Sequence, residues 1–172
     1  MIKIVKAGEE HAPLLYELCI LTFLESHGHS APEEAINSYI AEKYTIDVLQ
    51  QELRDPTNIY HILYHDNKAA GFSKVILNDP YINSTKENVA KLERIYLLKE
   101  FYDLHLGQQL LQFNIDLVKE NGQAGIWLYT WIENERAIRF YKKNGFEIIG
   151  SHDFKVSETH SNPNHRMLLS WE

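Results

Sequence analysis

The sequence has one cysteine, Cys19, in 172 residues, so it forms no internal disulfide and offers no Cys-rich zinc site. No apolar run approaches the roughly 20 residues that a membrane span needs. Basic residues are in deficit: 24 Asp and Glu stand against 17 Lys and Arg, for a formal charge of −7. That balance speaks against general nucleic-acid affinity and gives a mild electrostatic preference for cationic small molecules. Internal repeats, low-complexity tracts and linkers are absent. The N-terminal segment is too short and too charged for a secretory signal, which predicts a cytoplasmic protein with no membrane partner. What is present is an average globular composition, 44% hydrophobic and 24% charged, in a length that suits one domain spanning 1–172.

Apolar periodicity predicts the order β-α-α-ββ-β-α-β-α-β-β, a mixed α/β fold. Residues 2–5 read as a strand and 8–24 as a helix. A second helix follows Pro32, capped by Ser30 or Ala31, and a short third helical piece covers 46–53. Residues 59–64 and 70–77 form a hairpin around Asp66-Asn67, and 89–98 a further strand. The clearest helix is 106–118, with Leu106, Leu110, Phe113 and Leu117 on one stripe. Strand 126–131 precedes a helix that Asn134 caps and Asn144-Gly145 ends. Residues 146–149 start a strand, the polar segment 158–164 separates it from the next, and 166–171 form the last.

Two segments carry chemistry. The strand 89–98 feeds through 99–105 into the helix that begins near Leu106. A helix N-terminus presents unpaired N–H groups and partial positive charge, a ready phosphate site, and Gly107 permits close backbone approach there. The second segment contains Asn134, Ala137, Phe140-Tyr141 and Gly145-Phe146.

Together these residues resemble the Gcn5-related N-acetyltransferase superfamily, which acetylates amines with acetyl-CoA. The resemblance implies a mixed central sheet flanked by helices. Within the superfamily, Leu92-Glu93-Arg94-Ile95-Tyr96 and the residues from Ile126 through Trp131 to Asn134 look most like bacterial spermidine/spermine N-acetyltransferases. The implied acceptor is a small-molecule amine, a polyamine in the first instance. The alternatives are a peptide or amino-acid amine, or a catalytically silent CoA-binding domain. Family members often form homodimers.

The resemblance places acetyl-CoA against Ile95, Tyr96 and Leu97 of the strand, against Asp103, Leu104, His105, Leu106, Gly107 and Gln108 at the helix start, and near Asn134. One departure stands out. The family's pyrophosphate loop reads Gln/Arg-x-x-Gly-x-Gly/Ala, whereas here it is Tyr102-Asp103-Leu104-His105-Leu106-Gly107, where only Gly107 fits. Three readings stay open. Asp103 caps the helix while His105 takes an ordinary helical backbone; His105 donates to the pyrophosphate; or cosubstrate binding is weakened.

Glu93 occupies the position of a carboxylate base found in some members, and Tyr141 that of the family's tyrosine acid. Glu93 reads equally well as a strand carboxylate paired with a Lys or Arg, and Tyr141 has the alternative of a helix-face core residue. No metal is expected, because His27 and His29 lack a third ligand at a suggestive spacing. Cys19 lies on the apolar face of its helix and reads as a small buried hydrophobe. Trp131 is a candidate for the edge of the acceptor pocket. Glu25, Glu33 and Glu34 are candidates for holding a polycation.

Overall fold

Alternation of aromatic and β-branched residues gives the centre of the sheet its strands. The computed structural model describes residues 1–171. Its strands are β1 (Ile2–Lys6), β2 (Asn58–His65), β3 (Lys68–Ile76), β4 (Val89–Leu97), β5 (Gly125–Trp131), β6 (Glu147–Lys155) and β7 (Ser161–Ser170). The helices are α1 (Ala12–His27), α2 (Glu33–Lys43), α3 (Ile46–Arg54), α4 (Leu106–Glu120) and α5 (Glu135–Lys143). One seven-stranded sheet runs in the order β1-β2-β3-β4-β5-β7-β6, antiparallel except where β4 meets β5. This is the expected mixed α/β fold. Among the described residues no helix is long and apolar enough to cross a membrane.

The hairpin turn falls where the sequence places it. Asp66 and Asn67 both take positive φ, 46° and 66°, which joins β2 to β3 in two residues. Gly71 then lies so close to β4 that a Cβ there would sit 2.3 Å from the Tyr96 carbonyl oxygen. Only glycine allows the two strands to approach that far.

Helices α1–α3 cover one sheet face, with Leu15, Leu18, Cys19, Ile36 and Leu49 packed on Tyr60, Ile62 and Phe72. Helices α4 and α5 cover the other, where Leu111, Ile115, Val118 and Tyr141 meet Ala90, Leu92, Ile126 and Leu128. The buried stripe of α4 differs from the expected one. Phe113 and Leu117 are half-buried, while Asn114 is buried. Its amide is satisfied, donating to Leu110 O at 2.8 Å and accepting from Ser73 Oγ at 3.3 Å.

The C-terminal hairpin is longer than expected. β6 runs to Lys155 and β7 starts at Ser161, so part of the polar segment 158–164 is strand. β6 is the outer strand and almost wholly exposed, so neither face demands apolar residues and periodicity carries no signal there. The expected Ser30 or Ala31 cap of α2 is also corrected. Pro32 occupies the cap, and the Ser30 hydroxyl donates to His27 O at 2.7 Å.

Candidate active site

The site originates in an irregularity of β4. Lys74 pairs with Arg94 and Val75 with Leu92, so Glu93 is an extra residue in a β-bulge. A bulge reverses side-chain parity and bends the strand. Ala90 and Leu92 accordingly face α4, as does Ile95, while Arg94 reaches Cys19 and Tyr60 on the opposite face. The parallel pairing of β4 with β5 stops at Lys91–Trp127, just before the bulge. Beyond it the two strands part and leave a cleft of about 710 Å³.

The edge of β4 is free along this cleft. Leu98 N–H donates to Ala70 O at 2.9 Å, so by alternation the N–H and C=O groups of Ile95 and Leu97 point away from β3, into the opening. At one end lies the start of α4, whose first amides have no partner within the helix. The cleft lining includes Glu93, Ile95, Tyr96, Leu97, Asp103, His105, Leu106, Gly107, Gln108, Asn134 and Tyr141. Leu104 is not among the lining residues; its side chain is on the surface.

The loop before α4 corrects one expectation. Asp103 does not cap the helix: the cap residue is His105, without a side-chain cap bond. Nor is His105 in an ordinary helical conformation. Asp103 has φ 65° and His105 φ 59°, both left-handed, where glycine would be unstrained. The Asp103 carboxylate pairs instead with Arg136 of α5, at 3.3 Å. A Cβ at Gly107 would make only ordinary contacts, 3.5 Å from Leu97 and 3.8 Å from Phe140, so packing does not demand a glycine there.

Asn134 caps α5 as expected, accepting from Ala137 N at 3.2 Å. Gln108 Nε2 donates to Asn144 Oδ1 at 2.7 Å and ties α4 to α5. Tyr141 is buried between Phe140 and Phe146, with ring centroids 5.4 and 5.5 Å away. Burial, with a smaller contribution from Tyr96, raises its phenol pKa well above the ordinary value, so it stays protonated.

Glu93 forms an ion pair with Lys74, and Lys91 Nζ lies 3.8 Å from its other oxygen. Burial by itself would raise the Glu93 carboxyl. The charges of Lys74, Arg94 and Lys91 outweigh that effect and hold it below its ordinary value. It is therefore an ionised carboxylate at neutral pH.

The wall toward α1 carries Ser26, His27, Trp131 and Asn164. His27 stacks on Phe23 at 5.3 Å and lies 5.6 Å from Trp131. Burial, with help from His29, lowers its pKa to about 4, so the imidazole is neutral. No group of three His, Cys, Asp or Glu among the described residues is placed to hold a metal. Cys19 is buried and its thiol pushed up to about 11, as suits a core residue. Glu25 accepts the Lys99 N–H at 3.2 Å, and Glu33 and Glu34 border a separate hollow on α2. Glu33 and Glu34 thus border a hollow other than the cleft that Glu93 lines.

Lys74 and Arg136 went unread in the sequence. A lysine between buried Phe72 and Val75 was the available signal for the first. Arg136 had only its nearness to Asn134.

The sequence profile of the acetyltransferase (GNAT) family matches residues 15–146. The chain belongs to the GNAT acetyltransferase family. This acetyltransferase is similar, at 28% identity over 91% of both chains, to a protein named an uncharacterized N-acetyltransferase in the pepI 3′ region of Lactobacillus delbrueckii subsp. lactis. It is 29% identical to the spermidine N(1)-acetyltransferase of Thermoplasma acidophilum, over 86% of this chain and 89% of that one. The fold matches the crystal structure of the PaiA N-acetyltransferase from Thermoplasma acidophilum in complex with coenzyme A, with TM-score 0.79 at 23% identity over 99% of each chain.

GNAT enzymes take the acetyl group from acetyl-CoA, and the cleft of this acetyltransferase fits that cosubstrate. An unpaired strand edge can hydrogen-bond the amide-bearing arm, and the free amides of α4 suit its phosphates. The departure from glycine at His105 leaves those amides in place.

Proposed function

We propose that this acetyltransferase, a single domain over 1–172, acetylates a primary amine of a small molecule, with a polyamine as the leading acceptor, in the cytoplasm. The observation that carries the reading is that a β4 carboxylate, Glu93, and an α5 phenol, Tyr141, line the same cleft. An aliphatic ammonium has a pKa of about 10.4, so losing its proton at pH 7 costs about 4.6 kcal/mol. Glu93 accepts that proton, directly or through one water. The backbone N–H groups of Ile95 and Leu97 orient the acetyl carbonyl. As the N–C bond forms and the C–S bond breaks, Tyr141 protonates the departing sulfur and is reprotonated from solvent. The ammonium loses two protons in all, the first to Glu93 and the second as the amide forms. One is balanced by the proton the thiol gains and the other is released to solvent. Burial holds the Tyr141 phenol well above its ordinary value and so further above a thiol's ~8.5, so Tyr141 works through its placement.

Polyamine preference is supported by the resemblance to the Thermoplasma spermidine enzyme and by the charge of −7. One observation favours a peptide or amino-acid amine instead: Thr130, Trp131, Asn164 and neutral His27 give the α1-side wall no charge. Homodimerisation is supported by the outer strand β6, which exposes Ile148, Ile149 and Phe154. Calorimetric titration of acetyl-CoA and free-thiol release with a panel of amines test the reading. Turnover of spermidine above neutral and acidic amine compounds is the expected result. Turnover of a peptide amine alone reassigns the acceptor, and binding with no turnover of any amine leaves a silent CoA-binding domain.

A further inference from the structure

A chain of polar side chains runs behind the β4 wall of the cleft. Lys74 of β3 lies at its centre, its side chain only 7% exposed, and its ammonium contacts both Glu52 of α3 and Glu93 of β4. Glu52 Oε1 also accepts from the Tyr60 hydroxyl at 3.0 Å, whose oxygen accepts from Arg94 Nη1 at 2.9 Å. Burying an ammonium costs several kcal/mol before its partners offset it, and an apolar residue there would fill the space without that cost. Phe72, two residues before it and so on the same strand face, is buried and apolar. Packing therefore does not explain a lysine at this position. One of its two carboxylate partners lines the cleft.

We propose that Lys74 is a positioning residue for acetyl transfer. Shared between two carboxylates, it fixes Glu93 at the bulge as an ionised group, and Glu52 sets how much of the ammonium's charge Glu93 receives. The inference rests on the reading of Glu93 as the proton acceptor. Glu93 is also faced by Lys91, Arg94 and Tyr96 of its own strand and by Tyr39 of α2, all unchanged in the variants below.

Lys74→Met removes the nearest positive charge, so the Glu93 titration midpoint rises by about one unit or more. Glu52→Gln removes the competing carboxylate, so the midpoint falls. Lys74→Arg keeps the charge and stays close to wild type. Opposite shifts from two contacting residues do not arise from general loosening of the core. The midpoint is read on the full chain by carboxyl carbon NMR, with the Glu93 signal identified by its loss in Glu93→Gln. The acid limb of kcat, at saturating acetyl-CoA and amine, follows the midpoint. A midpoint that stays within about 0.3 unit in Glu52→Gln and in Lys74→Met overturns the proposal alone. A midpoint that moves without the acid limb, in an enzyme whose Glu93→Gln variant keeps its kcat, overturns the role of Glu93 and the proposal with it. Should Lys74→Met not fold, the downward shift in Glu52→Gln decides.

Discussion

Arg136 Nη2 lies 3.3 Å from Asp103 Oδ1 and its guanidinium sits 4.0 Å from the centre of the Tyr102 ring, so the first turn of α5 closes over the loop that starts α4. Arg136 and Asp103 both line the cleft proposed for the anionic cosubstrate. The carboxylate and a phosphate compete for the same cation. Exposed ion pairs contribute up to about 1 kcal/mol, so Asp103→Asn is expected to tighten acetyl-CoA binding by about two- to fivefold. Arg136→Ala is expected to weaken it. Calorimetry at low and high salt checks both, and the Asp103→Asn gain should shrink as salt rises.

His105 holds a left-handed backbone that costs a non-glycine residue about 1–2 kcal/mol. Glycine removes that strain but loses about 0.5–1 kcal/mol more in chain entropy. His105→Gly should therefore raise the melting temperature by about 1–3 °C. Acetyl-CoA affinity should stay within about threefold, since backbone amides and not the imidazole are the expected phosphate donors. A tenfold loss shared by His105→Gly and His105→Ala would identify the imidazole as a ligand.

Tyr141→Phe keeps the ring that packs between Phe140 and Phe146 and removes only the hydroxyl. Stability should barely change. A positioned general acid contributes about 10²–10⁴ in rate, so kcat should fall by about 100-fold while the KM for acetyl-CoA stays close to wild type. Because burial holds the phenol protonated, the wild-type kcat should show no decline attributable to Tyr141 below pH 10. Stopped-assay thiol release across pH checks both statements.

His61 is buried on β2, edge-on to Phe113 at 4.7 Å, and burial lowers its pKa from 6.5 to about 4. The folded state holds it neutral while the unfolded state takes up a proton from about pH 6.5 downward. Its contribution to stability is complete above the unfolded pKa and is lost as pH falls from about 6.5 toward 4. At pH 5 the loss is about 2 kcal/mol. His27 adds a loss of the same sign. Urea unfolding at pH 7.5 and pH 5 should show the difference, and His61→Phe should reduce it.

The sequence by itself determined the Asp66-Asn67 turn, the Asn134 cap, the Gly145 stop and the element order apart from α3, a full helix over Ile46–Arg54 that the expected order leaves out, because each follows from contacts within a few residues. The start of α4 was legible as a local feature, while the cleft-lining stretches of β4 and α5 were implied by the resemblance to GNAT acetyltransferases. It did not reveal the length of β6 and β7, whose exposed edge leaves no apolar period to read. Nor did it show the left-handed turn at His105, since no local preference of histidine requires that conformation. Tertiary structure alone decided the state of Glu93. The bulge that turns it, the buried lysine that holds it, and the second carboxylate on Lys74, 22 residues away at Glu52, come together only when α3 packs on β2 and β3. Coulomb energy depends on distance through space and on the exclusion of water, and neither is written in residue spacing.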